Sequence, residues 1–143
     1  MRKIIAVAIL IVGLSACGSE THVKDKEMIE DVMQGQAVAW NKGNLEGYMT
    51  GYWMSDSLVF SGGKSISRGW QAALDRYKIS YPNVEAMGKL EFNEIETQFS
   101  SKQSAYTIGE WTLFRTSDTL SGRFTLVWKK VNNSWVIIAD HSS

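Results

Sequence analysis

The amino-acid sequence predicts an α+β domain in which three helices cover one face of a mainly antiparallel sheet. Three observations carry that reading. Before Pro82 the apolar residues recur at three- and four-residue steps, the period of a helix face. After Pro82 the chain becomes rich in β-branched and aromatic residues, arranged in four runs that suit a pleated, half-buried surface. The connections between those runs are a few residues long, too short for parallel crossovers, so neighbouring strands are expected to be antiparallel.

Met28, Ile29, Val32, Met33, Ala37 and Trp40 form the apolar stripe of the first helix, and Gly43 supplies its stop. Asn44 is placed to cap a second helix, whose Leu45, Tyr48, Met49, Tyr52 and Trp53 share one face. Ser57–Ser61 and Ser65–Arg68 then flank Gly62-Gly63, a pair that tolerates the positive φ of a hairpin turn. A third helix begins near Trp70, with Ala73, Leu74, Tyr77 and Tyr81 on one side, and Pro82 ends it. Strands are predicted over 89–99, 104–115, 123–131 and 135–141, separated by Ser100–Gln103, Thr116–Gly122 and the Asn132-Asn133 turn. Phe124, Leu126 and Trp128 alternate with Arg123, Thr125 and Lys129, which gives that strand an apolar and a more polar face.

Composition excludes several function classes. At 143 residues the chain fits one domain with a real core. Its 15 basic and 15 acidic side chains leave no basic surplus to neutralise phosphates, so nucleic acid is not an expected partner. The single Cys forms no internal disulfide, and neither H-x-x-x-H nor C-x-x-C spacing occurs, so no metal and no cofactor is expected.

Residues 1–16 read as an address. Arg2 and Lys3 precede an apolar run from Ile4 to Val12, about half the ~20 residues that a membrane-spanning helix needs, and small residues follow. These are the parts of a secretory signal peptide. Leu14-Ser15-Ala16-Cys17 resembles the lipobox of bacterial lipoproteins, in which the Cys thiol is acylated and the Cys becomes the first residue after cleavage. The resemblance implies a cell-envelope protein held on a membrane by palmitate-type chains on Cys17, on the periplasmic face if the cell is Gram-negative. Several acyl chains at ~0.8 kcal/mol per buried CH₂ suffice for such an anchor. Gly18 stands where an inner-membrane retention signal of the enterobacterial kind has Asp. Residues 17–24 are small and polar and read as the lipidated Cys and its tether, with His22 in solvent. The Trp, Tyr and Phe side chains all lie from Trp40 onward, so the packed domain is placed at 25–143.

Several segments of that domain occur in a telling order. They are Ala39–Gly47, Asp56–Phe60, Arg68-Gly69, Gly122–Trp128 and the ending Trp135–Ser143. Together they resemble the NTF2-like superfamily, and within it the SnoaL-like, DUF4440-type branch, over about residues 27–143. The resemblance implies a cone: a strongly curved, mainly antiparallel sheet wrapped around a long helix, with a cavity at the mouth and dimerisation through the sheet. Members include steroid isomerases, polyketide cyclases, dehydratases and many proteins without known chemistry, so fold alone does not decide function.

Trp40, Tyr48, Tyr52 and Trp111 are the expected walls of such a cavity, because Trp and Tyr combine flat apolar surface with a polar tip. Helical spacing of aromatics equally suits an ordinary core. His141 is the sharpest candidate for catalysis. It falls on the same alternation as Trp135, Ile137 and Ala139, so it is expected to face the cavity as acid, base or hydrogen-bond donor, with Asp140 on the opposite face. Asp56 is a candidate to orient His141 but suits a turn better, and Arg123 suits the solvent face beside Lys129 better than a carboxylate site. The positions matching the base and the oxyanion-binding Tyr of the steroid isomerases are Ser61 and Gln36. A hydroxyl is a poor base at neutral pH, so that mechanism does not carry over.

Three functions follow as expectations. The first is a lipid-anchored module binding a small apolar or amphipathic ligand without chemistry. The second is an acid–base enzyme of isomerase, cyclase or dehydratase type using His141, and the third a dimeric protein-interaction module.

Overall fold

The period of the sequence changes at Pro82, and the architecture changes with it. The computed structural model describes residues 17–63 and 65–143; the expected leader, residues 1–16, lies outside them. The elements run α1 Cys17–Asn41, α2 Leu45–Met49, β1 Val59–Gly62, β2 Ser65–Arg68, α3 Trp70–Ser80, α4 Val84–Met87, β3 Lys89–Ser101, β4 Ser104–Phe114, β5 Thr119–Val131 and β6 Ser134–Ser142. The strands form one curled sheet in the order β2-β1-β6-β5-β4-β3, against which the helices pack. All neighbours are antiparallel except β1 and β6. The three expected helices, the Gly62-Gly63 hairpin and the long meander are all present.

Four boundaries differ from the expectation, each for a local reason. The segment read as a tether is helical from Cys17, and His22 is not in open solvent: its ring stacks on Phe99 at 4.7 Å. The second helix stops at Met49, because the backbone beyond it is claimed by β6. Gly51 accepts from Ile137 N and Trp53 donates to Ile137 O, both at 2.9 Å, so Tyr52 and Trp53 lie outside the helix. Asn83 accepts from Ala86 N at 2.8 Å and starts the unforeseen short helix α4. Thr119–Gly122, read as loop, is strand, paired residue for residue with Trp111–Phe114.

The interior has two unlike ends. Ile29 and Met33, from the middle of α1, belong with the fully buried Trp128, Trp135 and Ile137 to the core. There Trp128 Nε1 donates to Thr107 Oγ1 at 2.8 Å and Trp135 Nε1 to Asp25 Oδ1 at 3.1 Å, so both indoles satisfy their polar atom while fully buried. At the other end of α1, Asn41 clasps the backbone of Leu90, donating to its carbonyl at 3.1 Å and accepting from its N–H at 2.7 Å. That clasp fixes the start of β3 against the end of the helix. Among the described residues no helix is long and apolar enough to cross a membrane.

Candidate functional site

The space between the C-terminal half of α1, α2, α3 and the concave face of the sheet is a cavity of about 220 Å³. Trp40, Tyr48, Tyr52 and Trp111 all line it, together with Phe60, Tyr77 and Tyr81 from the hairpin and α3. Trp40 anchors the aromatic group. Its indole meets Tyr48, Tyr77 and Tyr81 edge-on at 4.8–5.9 Å between ring centres and donates to Met87 O at 3.3 Å. Trp111 finds room because its cross-strand partner is Gly122: a Cβ there would come within 2.7 Å of the indole. The Trp111 Nε1 atom is sealed off and has no hydrogen-bond partner.

His141 is not in this cavity. It lies exposed on the outer side of β6, while Asp140 is 3% exposed and lines the cavity. The expected arrangement is thus inverted, and a β-bulge is the cause. Val127 pairs with Ala139 and Trp128 with Ile137, which leaves Ile138 as an extra residue. Because side chains alternate with a period of two, one inserted residue exchanges the faces of everything after it. Trp135 and Ile137 point inward before the bulge, and Asp140 and Ser142 after it. Among the described residues no hydrogen bond joins the His141 ring to Tyr48, Tyr52 or Asp56.

The other candidates fall on the surface or in turns. Asp56 sits exposed in the turn before β1, and Arg123 is an exposed partner of Glu94 at 2.5 Å and Glu110 at 3.7 Å. Gln36 does line the cavity and donates to Tyr48 O at 3.1 Å, whereas Ser61 does not line it.

The polar pole of the cavity is built around Asp140. Tyr52 donates its hydroxyl to Asp140 Oδ2 at 2.6 Å, and Ser142 Oγ donates to Oδ1 at 2.8 Å. The Tyr48 hydroxyl stands 3.5 Å from the hydroxyls of both Tyr52 and Tyr77. Burial pushes the Asp140 carboxyl up to about 6, against the hydrogen bonds from Tyr52 and Ser142 and the charges of His141 and Arg76, which hold it lower. Burial, followed by the nearby Asp140 charge, raises the Tyr48 hydroxyl to about 12. Tyr52 and Tyr77 are raised well above the usual phenol range, again chiefly by burial, so all three keep their protons at neutral pH. Arg76 lies at the rim over the Phe60 ring, with its guanidinium bonded to Ser65 O, Ser65 Oγ and Gly62 O. Among the described residues no group of His, Cys, Asp and Glu could hold a metal ion.

The sequence reading missed Asp140 as an inward group, and with it the roles of Tyr77 and Arg76. The signal for Tyr77 was its place on the apolar face of the third helix. For Asp140 the available signal was a lone charge after the five apolar residues Trp135–Ala139.

No family model and no curated protein sequence matches the chain. Solved structures do. A putative scytalone dehydratase from Novosphingobium aromaticivorans is 14% identical, with a TM-score of 0.67, covering 87% of this chain and 86% of that one. LinA is 13% identical, with a TM-score of 0.71 over 87% of this chain and 88% of its own. At such identities they share the fold alone. An NTF2-like protein of unknown function from Shewanella oneidensis is 39% identical, with a TM-score of 0.79, and the alignment spans 83% of this chain and 98% of that one. That identity, over nearly the full length of the relative and on the same curled sheet, places this chain in the NTF2-like family.

Proposed function

We propose that this protein is a cell-envelope lipoprotein, anchored through Cys17, whose cavity binds a small apolar or amphipathic molecule. The observation that carries the binding half is the contrast between the two ends of the interior. Ile29, Trp128, Trp135 and Ile137 are fully buried at one end, whereas the other leaves about 220 Å³ walled by aromatic rings with one hydrogen-bonded carboxylate at its pole. Apolar walls with a few convergent polar groups are the usual make-up of a small-molecule site. A molecule about the size of a single substituted ring suits the volume.

Toluene, which has no hydrogen-bonding group, tests the apolar cavity by itself. Saturable binding, followed by ligand-observed NMR, is expected for the wild type and not for Leu126→Trp, which fills the space from the sheet side. No saturable binding by the wild type would overturn this reading. The anchor rests on Leu14-Ser15-Ala16-Cys17 and the short apolar run before it. Cys17→Ser is expected to move the protein from the membrane fraction to the soluble or precursor pool in cell fractionation. Mature protein still bound to the membrane would contradict the lipobox.

A second reading, acid–base catalysis, is supported by a different residue from the one first considered. Asp140, at about 6, stands near the operating pH of a general base inside the cavity, whereas His141 faces outward. The third reading, a dimeric interaction module, draws on the outer face of the sheet, where Tyr106, its cross-strand partner Val127, and Ile108 are exposed apolar side chains.

A further inference from the structure

The hydroxyl groups at the pole of the cavity are not independent. Each tyrosine has one proton to give and lone pairs to receive with. Tyr52 spends its proton on Asp140 at 2.6 Å. Its contact with Tyr48 is therefore favourable only if Tyr48 donates, and the contact of Tyr48 with Tyr77 only if Tyr77 donates. The ionised carboxylate favours this alignment, since it draws every proton of the row toward itself. Counting protons from Asp140 outward leaves the Tyr77 oxygen, half-buried on the cavity wall, with free lone pairs and no free proton. Ser142 is likewise spent on Asp140. Arg76, the one cation lining the cavity among the described residues, directs Nη1 to Ser65 and Nη2 to Gly62. At the outer end of this row a ligand thus meets an acceptor, the Tyr77 oxygen.

We propose that the cavity selects apolar alcohols or phenols, whose hydroxyl donates to the Tyr77 oxygen at the end of the Asp140–Tyr52–Tyr48–Tyr77 row, over ethers and ketones of the same shape. This rests on the ligand-binding reading above and names the chemical class that the same site takes. A ligand with only an acceptor at this position leaves Tyr77 facing a second set of lone pairs, or forces the row to break.

Phenol and anisole are the test pair, titrated at pH 8 and followed by ligand-observed NMR or calorimetry. Wild type is expected to bind phenol about tenfold more tightly than anisole, the effect of one unmet buried hydrogen bond. Tyr77→Phe is expected to bring the two within about twofold while anisole binding stays near its wild-type value. Asp140→Asn gives an independent check. The amide can donate to Tyr52 and release the row to reverse, so the preference is expected to shrink there as well. Equal affinities in the wild type, or a preference unchanged in both variants, would overturn the proposal while toluene binding left the cavity reading intact. Failure of toluene, phenol and anisole alike would remove the cavity reading and this one with it.

Discussion

Asp140→Asn is expected to make the protein more stable at pH 7.5, by about 2–3 kcal/mol, and to leave it almost unchanged near pH 4. A free aspartate titrates near 3.9, whereas in the folded protein burial holds this carboxyl up to about 6. Between those values the folded protein binds the proton more tightly than the unfolded chain does. The contribution of Asp140 to stability is therefore fully present below about pH 4 and is lost as pH rises through about 6. The gap between about 3.9 and about 6 corresponds to about 3 kcal/mol. Asparagine carries no charge to bury, so it escapes that loss. Urea unfolding midpoints at pH 4, 5.5 and 7.5 check this. A variant destabilised equally at all three would show that the carboxylate is a structural acceptor and no burden. A stability cost borne at neutral pH, inside a cavity, is what a residue kept for binding or chemistry would produce.

The site and the fold were legible in the sequence to different depths, because they depend on different signals. The helices and strands announce themselves through period and composition, which persist over ten or more residues and survive local irregularity. Trp40, Tyr48, Tyr52 and Trp111 were expected at the cavity and do line it. The choice between Asp140 and His141 rests instead on the phase of one strand, and a single extra residue at Ile138 reverses it. Nothing in Val136-Ile137-Ile138-Ala139 marks the bulge, because four consecutive apolar residues carry no alternation to break. The same limit hid the start of α1. Residues 17–24 have no apolar stripe, and the stacking of His22 on Phe99 joins residues far apart in the chain.

Lys130→Met is expected to be the most damaging of the substitutions considered, at about 3–5 kcal/mol near neutral pH. Asp25 is 2% exposed. Its Oδ1 accepts from Lys130 Nζ at 2.6 Å and from Trp135 Nε1 at 3.1 Å, and its Oδ2 has no partner. Burial raises this carboxyl, but the hydrogen bonds from Lys130 and Trp135, with the charges of Lys130 and His22, outweigh it and hold the group below the usual range. Its contribution has the opposite sign to that of Asp140: present above the unfolded value near 3.9 and lost as pH falls through the lower folded one. The lysine side chain is 22% exposed, far less than an ordinary surface partner, so solvent screens the pair weakly. Methionine keeps the apolar stem of Lys130 and removes only the charge, which leaves Asp25 buried and uncompensated. Acidification should then help, since protonating Asp25 removes the unpaired charge, and the variant is expected to recover part of its loss below about pH 5. Asp25→Asn combined with Lys130→Met should cost less than Lys130→Met alone, because the buried charge leaves with its partner. Urea midpoints across this double-mutant cycle decide the matter. A loss below about 1 kcal/mol for Lys130→Met would reduce the contact to a surface ion pair. The contact joins Asp25 of α1 to the end of β5 and the start of β6, and none of the three residues lines the cavity.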